Sequence, residues 1–366
     1  MYIPLWQQWI TRLSLFSPSF FTRLGSIETA LFADKLTQIP IKSPIFISGL
    51  ARCGSSILLQ LLYQQGDSAS FRYQDYPFIC SPILWHFFTR HATQPNSAAV
   101  VERLHQDGLG VSVQSPESFD EVIWKAFFPD LHCDNHSVIL DARHRNKAFD
   151  SFYTSSIKKM LYIHRKDRFV CKNNYHFTRR DYLLNLFPDA KFILLVRDPY
   201  SHIASLMKQH ALLCKLQTEQ PAIRRQFKHL CHFEFGCDRK ALELDNPAAH
   251  QRVLDAWRRN DDVAGWAQYW AMVYGYLVDT LRSDARHFFV VDYQQLCQDS
   301  KKTLSALYRW LNLPISDVLL DKQAQTLQLP SYYSVSFSKE ENAIISEYTH
   351  DTYKALLRFS AKFLVT

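Results

Sequence analysis

At 366 residues, 47% of them hydrophobic and 21% charged, the chain has material for a large core and is too apolar for a disordered tail or linker. Forty-two basic against 35 acidic residues leave a formal charge of +7, which suits an anionic ligand without selecting one; no run of like charge or basic stripe marks a nucleic-acid surface. Eight cysteines, at 53, 80, 133, 171, 214, 231, 237 and 297, lack the spacing of a secreted disulfide framework and read as the reduced thiols of a cytoplasmic protein.

Trp6, Trp9, Ile10, Leu13 and Phe16 open the chain at helical spacing. They read as a helix packed on the core, with a membrane-surface anchor as the alternative. Polar interruptions rule out a clean signal peptide, and no stretch supplies eighteen uninterrupted apolar residues for a span; stable membrane insertion is not expected, and peripheral contact is left open. Pro44-Ile45-Phe46-Ile47-Ser48 then reads as a buried strand. It stops at Gly49, and Ser55 to Gln64 carries Ile57, Leu58, Leu61 and Leu62 on one helical face. Three more apolar runs, Phe169–Cys171, Phe192–Val196 and Phe288–Val291, each precede polar residues and helical periodicity. Strands alternating with helices predict an α/β fold, a parallel sheet covered on both faces. The segments 80–165 and 206–285 are mainly helical in pattern and are expected to cap the strand ends. One domain over 1–366 is expected, with a helical leader at 1–40. After Glu340 the pattern is helical with no assignable role.

Ligands of open parallel sheets bind beyond the carboxyl ends of the strands, so the chemistry is sought there. Between strand and helix, Gly49-Leu50-Ala51-Arg52-Cys53-Gly54-Ser55-Ser56 sets two glycines five apart, as in loops whose backbone amides wrap a phosphate at a helix N-terminus. A nucleotide-triphosphatase loop would place lysine where Ser55 stands. Arg52 instead offers a fork of donors, with the hydroxyls of Ser55 and Ser56, a set suited to a smaller diphosphate-like group. At the end of the strand Phe192–Val196 stand Arg197, Asp198 and Pro199, with Ser205 eight residues after the arginine. Asp198 and Pro199 suit a helix cap and first position; Arg197 and Ser205 can then converge on one anion, although Arg197 and Asp198 also admit an ordinary ion pair. His229, Cys231, His232 and Cys237 are zinc-type donors without the paired spacing of a structural site, and no metal is expected.

The loop resembles that of the sulfotransferases, which hold a 5′-phosphosulfate on a glycine, arginine, glycine and two hydroxyl residues; Gly49, Arg52, Gly54, Ser55 and Ser56 match, and Cys53 stands where serine is usual. Arg197 with Ser205 looks like the family's grip on the 3′-phosphate of the donor. The resemblance, over about residues 40–315, includes Arg72–Phe78, Gln106-Asp107-Gly108, Ser115-Pro116-Glu117 and Lys172-Asn173-Asn174. It implies a P-loop-type fold and transfer of a sulfuryl group, without metal, from 3′-phosphoadenosine 5′-phosphosulfate to a hydroxyl or amine of a small-molecule, glycan or lipid acceptor. By the same resemblance Arg52, Cys53, Gly54, Ser55, Ser56, Arg197 and Ser205 bind the donor, Arg52 neutralises the transferred group, Lys172 meets the bridging oxygen, and Asp75 is the base, with His105 in reserve. No Arg-Lys-Gly near the C-terminus completes the 3′-phosphate site. The competing readings are a nucleotide or small-molecule kinase, in which the strand ending at Asp198 holds magnesium, a catalytically inactive nucleotide-binding protein, and a peripheral membrane scaffold.

Overall fold

The computed structural model describes residues 18–89, 101–102, 109–133, 136–329 and 336–363. Among the described residues the strands in chain order are β1 (Ile45–Ser48), β2 (Ser68–Ala69), β3 (Val101–Glu102), β4 (Gly110–Val111), β5 (Arg168–Lys172), β6 (Lys191–Val196) and β7 (Phe288–Asp292). Five form the main sheet in the order β2-β5-β1-β6-β7, every pair parallel, while β3 and β4 make a separate antiparallel ribbon.

Alternation along each strand divides the core in two. Ile45, Ile47, Val170, Ile193, Leu195, Phe289 and Val291 meet Leu58 and Leu62 from helix Ser55–Gln64 and Leu304, Leu307 and Leu311 from helix Ser300–Leu311. Their neighbours Phe46, Phe169, Cys171, Phe192, Leu194, Phe288 and Val290 belong to the larger core on the opposite face. There helix Lys147–His164 lies along β5 and β2, and helix Asp262–Ser283 packs on helices Pro199–Glu219, Pro247–Arg258 and Lys339–Lys362. Both faces are therefore covered, which is why the strands are continuous apolar runs.

The segments expected to be mainly helical contain those long helices, separated by the ribbon and by loops at 112–120, 128–133, 136–146 and 230–246. The leader is described from Pro18 on, as helices Pro18–Leu31 and Ala33–Thr37; the earlier aromatic residues lie outside the described part. Its Glu28 faces Lys159 at 3.1 Å, both fully buried, and the lysine also donates to the carbonyls of Gly25 at 2.7 Å and Cys80 at 3.1 Å. The C-terminal pattern resolves into helix Lys339–Lys362, opened by a Ser338–Glu341 capping box. Among the described residues, no helix is long and apolar enough to cross a membrane.

After β1 the chain runs towards β2, and after β6 towards β7, so the two adjacent central strands send their connections to opposite sides. This is the switch point at which such sheets open a crevice. The segments Gly49–Gly54 and Arg197–Asp198 leave the sheet there.

Candidate active site

The loop after β1 is shaped by close approach. Gly49 has φ +146° and a Cβ there would stand 2.7 Å from the Leu195 carbonyl; Gly54 has φ +102° and its Cβ would stand 2.4 Å from the Tyr293 ring. Only glycine fits either position without a shift. Between them Arg52 takes φ 72°, an uncommon value for a side-chain-bearing residue. Cys53 faces inward: its thiol is fully buried and its amide donates to the Leu50 carbonyl at 3.3 Å. Burial raises that thiol, and the Lys172 charge lowers it by a smaller amount. Of the two hydroxyl residues opening the helix, Ser55 is buried and Ser56 half-buried.

His202 braces the loop from the first turns of helix Pro199–Glu219. Its Nε2 lies 2.9 Å from the Ala51 carbonyl, and its Nδ1 accepts from Trp270 Nε1 at 3.2 Å. This pair of partners requires the neutral ring with its proton on Nε2. Complete burial lowers its pKa to about 3, which keeps it so.

The second motif meets the first directly. Arg52 Nε donates to Ser205 Oγ at 3.3 Å, and Arg197 Nη1 donates to the Arg52 carbonyl at 3.2 Å. Arg197 Nε donates to Ser201 Oγ at 3.3 Å, and the guanidinium lies 5.5 Å from the centre of the Tyr293 ring. Two guanidinium groups and the hydroxyls of Ser201 and Ser205 thus share one rim. Asp198 is the helix cap: its carboxylate accepts from the Ser201 amide at 2.9 Å, with Pro199 in the first turn.

Lys172 closes β5 opposite Ile47 of β1. It is 9% exposed, and among the described residues its ammonium makes no hydrogen bond or ion pair. Asn173 turns its side chain to Asp120 and Glu121, and Asn174 donates to Glu234 at 2.6 Å.

Asp75 is paired with Arg72. It ends the short turn Tyr73–Asp75, 1% exposed, with one oxygen accepting from the Arg72 amide at 2.8 Å and Nε at 3.4 Å and the other from Nη2 at 3.2 Å. Burial raises its pKa and Arg72 pulls the other way. Both oxygens of Asp75 are thus engaged by Arg72. His105 lies outside the described residues. Glu117 accepts from the Tyr73 hydroxyl at 2.6 Å, beside the same turn.

The eight cysteines are free thiols. Among the described residues, the donors that approach one another closely enough to hold an ion are Asp120, Cys171 and His176, not the residues at 229–237. Asp120 accepts from Tyr153, Trp124 and Asn173.

The sequence reading found Arg52, Arg197, Ser205 and Lys172 but not Ser201, His202 or Tyr293. Ser201, one turn beyond Arg197, carried a local signal. The other two join the loop only through tertiary packing.

Known proteins resemble this chain along much of its length. A menaquinone-modifying enzyme of Mycobacterium bovis, omega-hydroxy-beta-dihydromenaquinone-9 sulfotransferase Stf3, is 24% identical over 343 residues, covering 89% of this chain and 78% of its own. Among solved structures, sulfotransferase STF1 from Mycobacterium tuberculosis H37Rv is 14% identical, with a TM-score of 0.49 over 91% of this chain and 81% of that one. Sulfotransferase STF9 from Mycobacterium avium is 15% identical, with a TM-score of 0.48 over 88% and 81%. Residues 44–239, more than half of the sequence, match the sequence profile of the sulfotransferase family, and the chain belongs to that family.

Proposed function

We propose that this sulfotransferase takes its sulfuryl group from 3′-phosphoadenosine 5′-phosphosulfate and places it on a hydroxyl of a small-molecule or lipid acceptor, by in-line displacement and without metal. In this reading the glycine loop from Gly49 to Gly54, with Ser55 and Ser56 at the helix N-terminus, cradles the 5′-phosphosulfate. Arg52 neutralises the equatorial oxygens of the group in flight, and Lys172 meets the oxygen that departs with the phosphate. Arg197, Ser201 and Ser205 hold the ribose 3′-phosphate, where a fork of charged donors gives both affinity and choice of nucleotide. The base expected at Asp75 is a separate question, because that carboxylate is committed to Arg72.

The observation that carries the reading is the contact between the two motifs: Arg197 on the Arg52 carbonyl and Arg52 on Ser205. One small molecule with an anion at each end can touch both. The kinase reading lacks the loop lysine, and Asp198, which would hold its magnesium, is spent as a helix cap. The omega-hydroxy-beta-dihydromenaquinone-9 in the name of the Mycobacterium bovis relative supports a hydroxyl-bearing acceptor here. The free thiols support a cytoplasmic setting, and the single main sheet supports one domain.

Titration calorimetry tests the donor. Adenosine 3′,5′-bisphosphate should bind at least tenfold more tightly than ATP, equally with and without magnesium, and Arg197→Ala should remove most of that preference. Tighter, magnesium-dependent binding of ATP would overturn the proposal.

A further inference from the structure

We infer that Asp120 and Glu121 are positioning residues for sulfuryl transfer, acting through Asn173 to fix the turn that carries Lys172. The inference rests on the proposed role of Lys172 at the donor.

Two consecutive carboxylates, 0% and 3% exposed, are costly to bury and need every lone pair answered. Asp120 Oδ2 accepts from the Tyr153 hydroxyl at 3.0 Å and Trp124 Nε1 at 3.3 Å, and faces His176 Nε2 at 2.8 Å. Glu121 takes both arms of Arg179, at 2.6 and 2.7 Å, and faces His132 Nε2 at 2.6 Å. Asp120 Oδ1 and Glu121 Oε2 then converge on a single group, the side-chain amide nitrogen of Asn173, at 3.0 and 2.8 Å. That nitrogen has two hydrogens, one for each carboxylate.

The rest of Asn173 is equally committed. Its Oδ1 accepts from the Tyr175 amide at 2.9 Å, its own amide donates to the Ile47 carbonyl at 3.0 Å, and its carbonyl accepts from Ser48 Oγ at 2.9 Å. Ser48 Oγ in turn accepts from the Phe177 amide at 3.2 Å. Asn173 is thus pinned to the end of β1, one residue before the glycine loop, and Lys172 is its covalent neighbour. A turn-forming asparagine needs only its own backbone for partners. Here two buried carboxylates hold it, themselves answered by His132, His176 and Arg179, where apolar packing would be as stable. What the polar network adds is a single position for the backbone of Lys172, and small displacements of a reacting group are expensive in rate.

The test uses the full-length protein, radiolabelled donor and 2-naphthol as the probe acceptor. Asn173→Ala should lower kcat at least tenfold, while the KM for donor and the Kd for adenosine 3′,5′-bisphosphate stay within twofold. In a Lys172→Ala background the same change should cost less than twofold, since its effect passes through the lysine. Asp120→Asn, which keeps shape and loses charge, is the second variant should Asn173→Ala fail to fold; it should show the same split. A folded Asn173→Ala or Asp120→Asn with wild-type kcat overturns the inference, as does an undiminished loss in the Lys172→Ala background. Full turnover by Lys172→Ala alone overturns the reading beneath it and the inference with it, and that result is distinguishable because it appears in the single lysine variant.

Discussion

Two opposed influences meet at Asp75. Burial raises its pKa, while Arg72 holds both of its oxygens. The geometry favours the brace. Removing one partner of a buried pair strands the other, at about 3–5 kcal/mol, so Asp75→Ala should lose roughly that much stability in urea denaturation while the folded fraction turns over normally. Lost turnover at unchanged stability would return Asp75 to the chemistry. His202 acts on the loop without touching substrate in the proposed scheme. Replacing it by Phe leaves the Ala51 carbonyl without its donor, a loss of about 1–1.5 kcal/mol, and calorimetry should show roughly tenfold weaker binding of adenosine 3′,5′-bisphosphate. With a pKa of about 3, His202 should add no step to that affinity between pH 5 and 8.

Among the elements, the glycine loop makes the clearest prediction. Gly54→Ala faces both a positive φ and a ring at 2.4 Å, whereas Gly66 has φ +100° with nothing within 4 Å of a Cβ. Gly66→Ala should cost about 1 kcal/mol or more in stability from backbone strain and leave nucleotide binding intact. Gly54→Ala should in addition abolish measurable bisphosphate binding while far-ultraviolet circular dichroism is kept. The same contrast shows what the sequence could and could not disclose. β1, β5, β6 and β7 are short apolar runs and were legible; β2 is only Ser68 and Ala69, and exists because β5 offers it an edge. Arg52, Arg197 and Ser205 were legible because their spacing is local to a strand end. Tyr293 arrives from beyond β7, and the burial of Asp120 and Glu121 depends on Arg179 and His176, 50 to 60 residues away, so neither leaves a pattern in its own neighbourhood.

For the molecule as a whole, acid is the expected weakness. Burial lowers His164 and His202 to about 3 and His210 and His229 to about 4, from an ordinary 6.5. Below pH 6.5 the unfolded chain protonates these rings and the fold does not, so the unfolded state binds more protons and stability falls as pH falls. For the fully buried His202 that is about 1.4 kcal/mol per pH unit. Asp120 and Glu121, held below the usual carboxylate range against the cost of burial by His176 and Arg179 respectively, withdraw their contribution as pH drops below about 4. The histidines act first, so Tm should decline steadily from pH 6.5 to 4.5; a flat profile would contradict the buried neutral histidines. A different consequence follows from the hydrogen bond between Arg197 and the Arg52 carbonyl. Neither arginine can be oriented alone, so supplying adenosine 3′-phosphate and free inorganic phosphate as unlinked fragments should reveal reciprocity: each raises the other's affinity by the same factor, and Arg197→Lys, too blunt to reach the carbonyl as a fork does, should make the two fragments indifferent to each other.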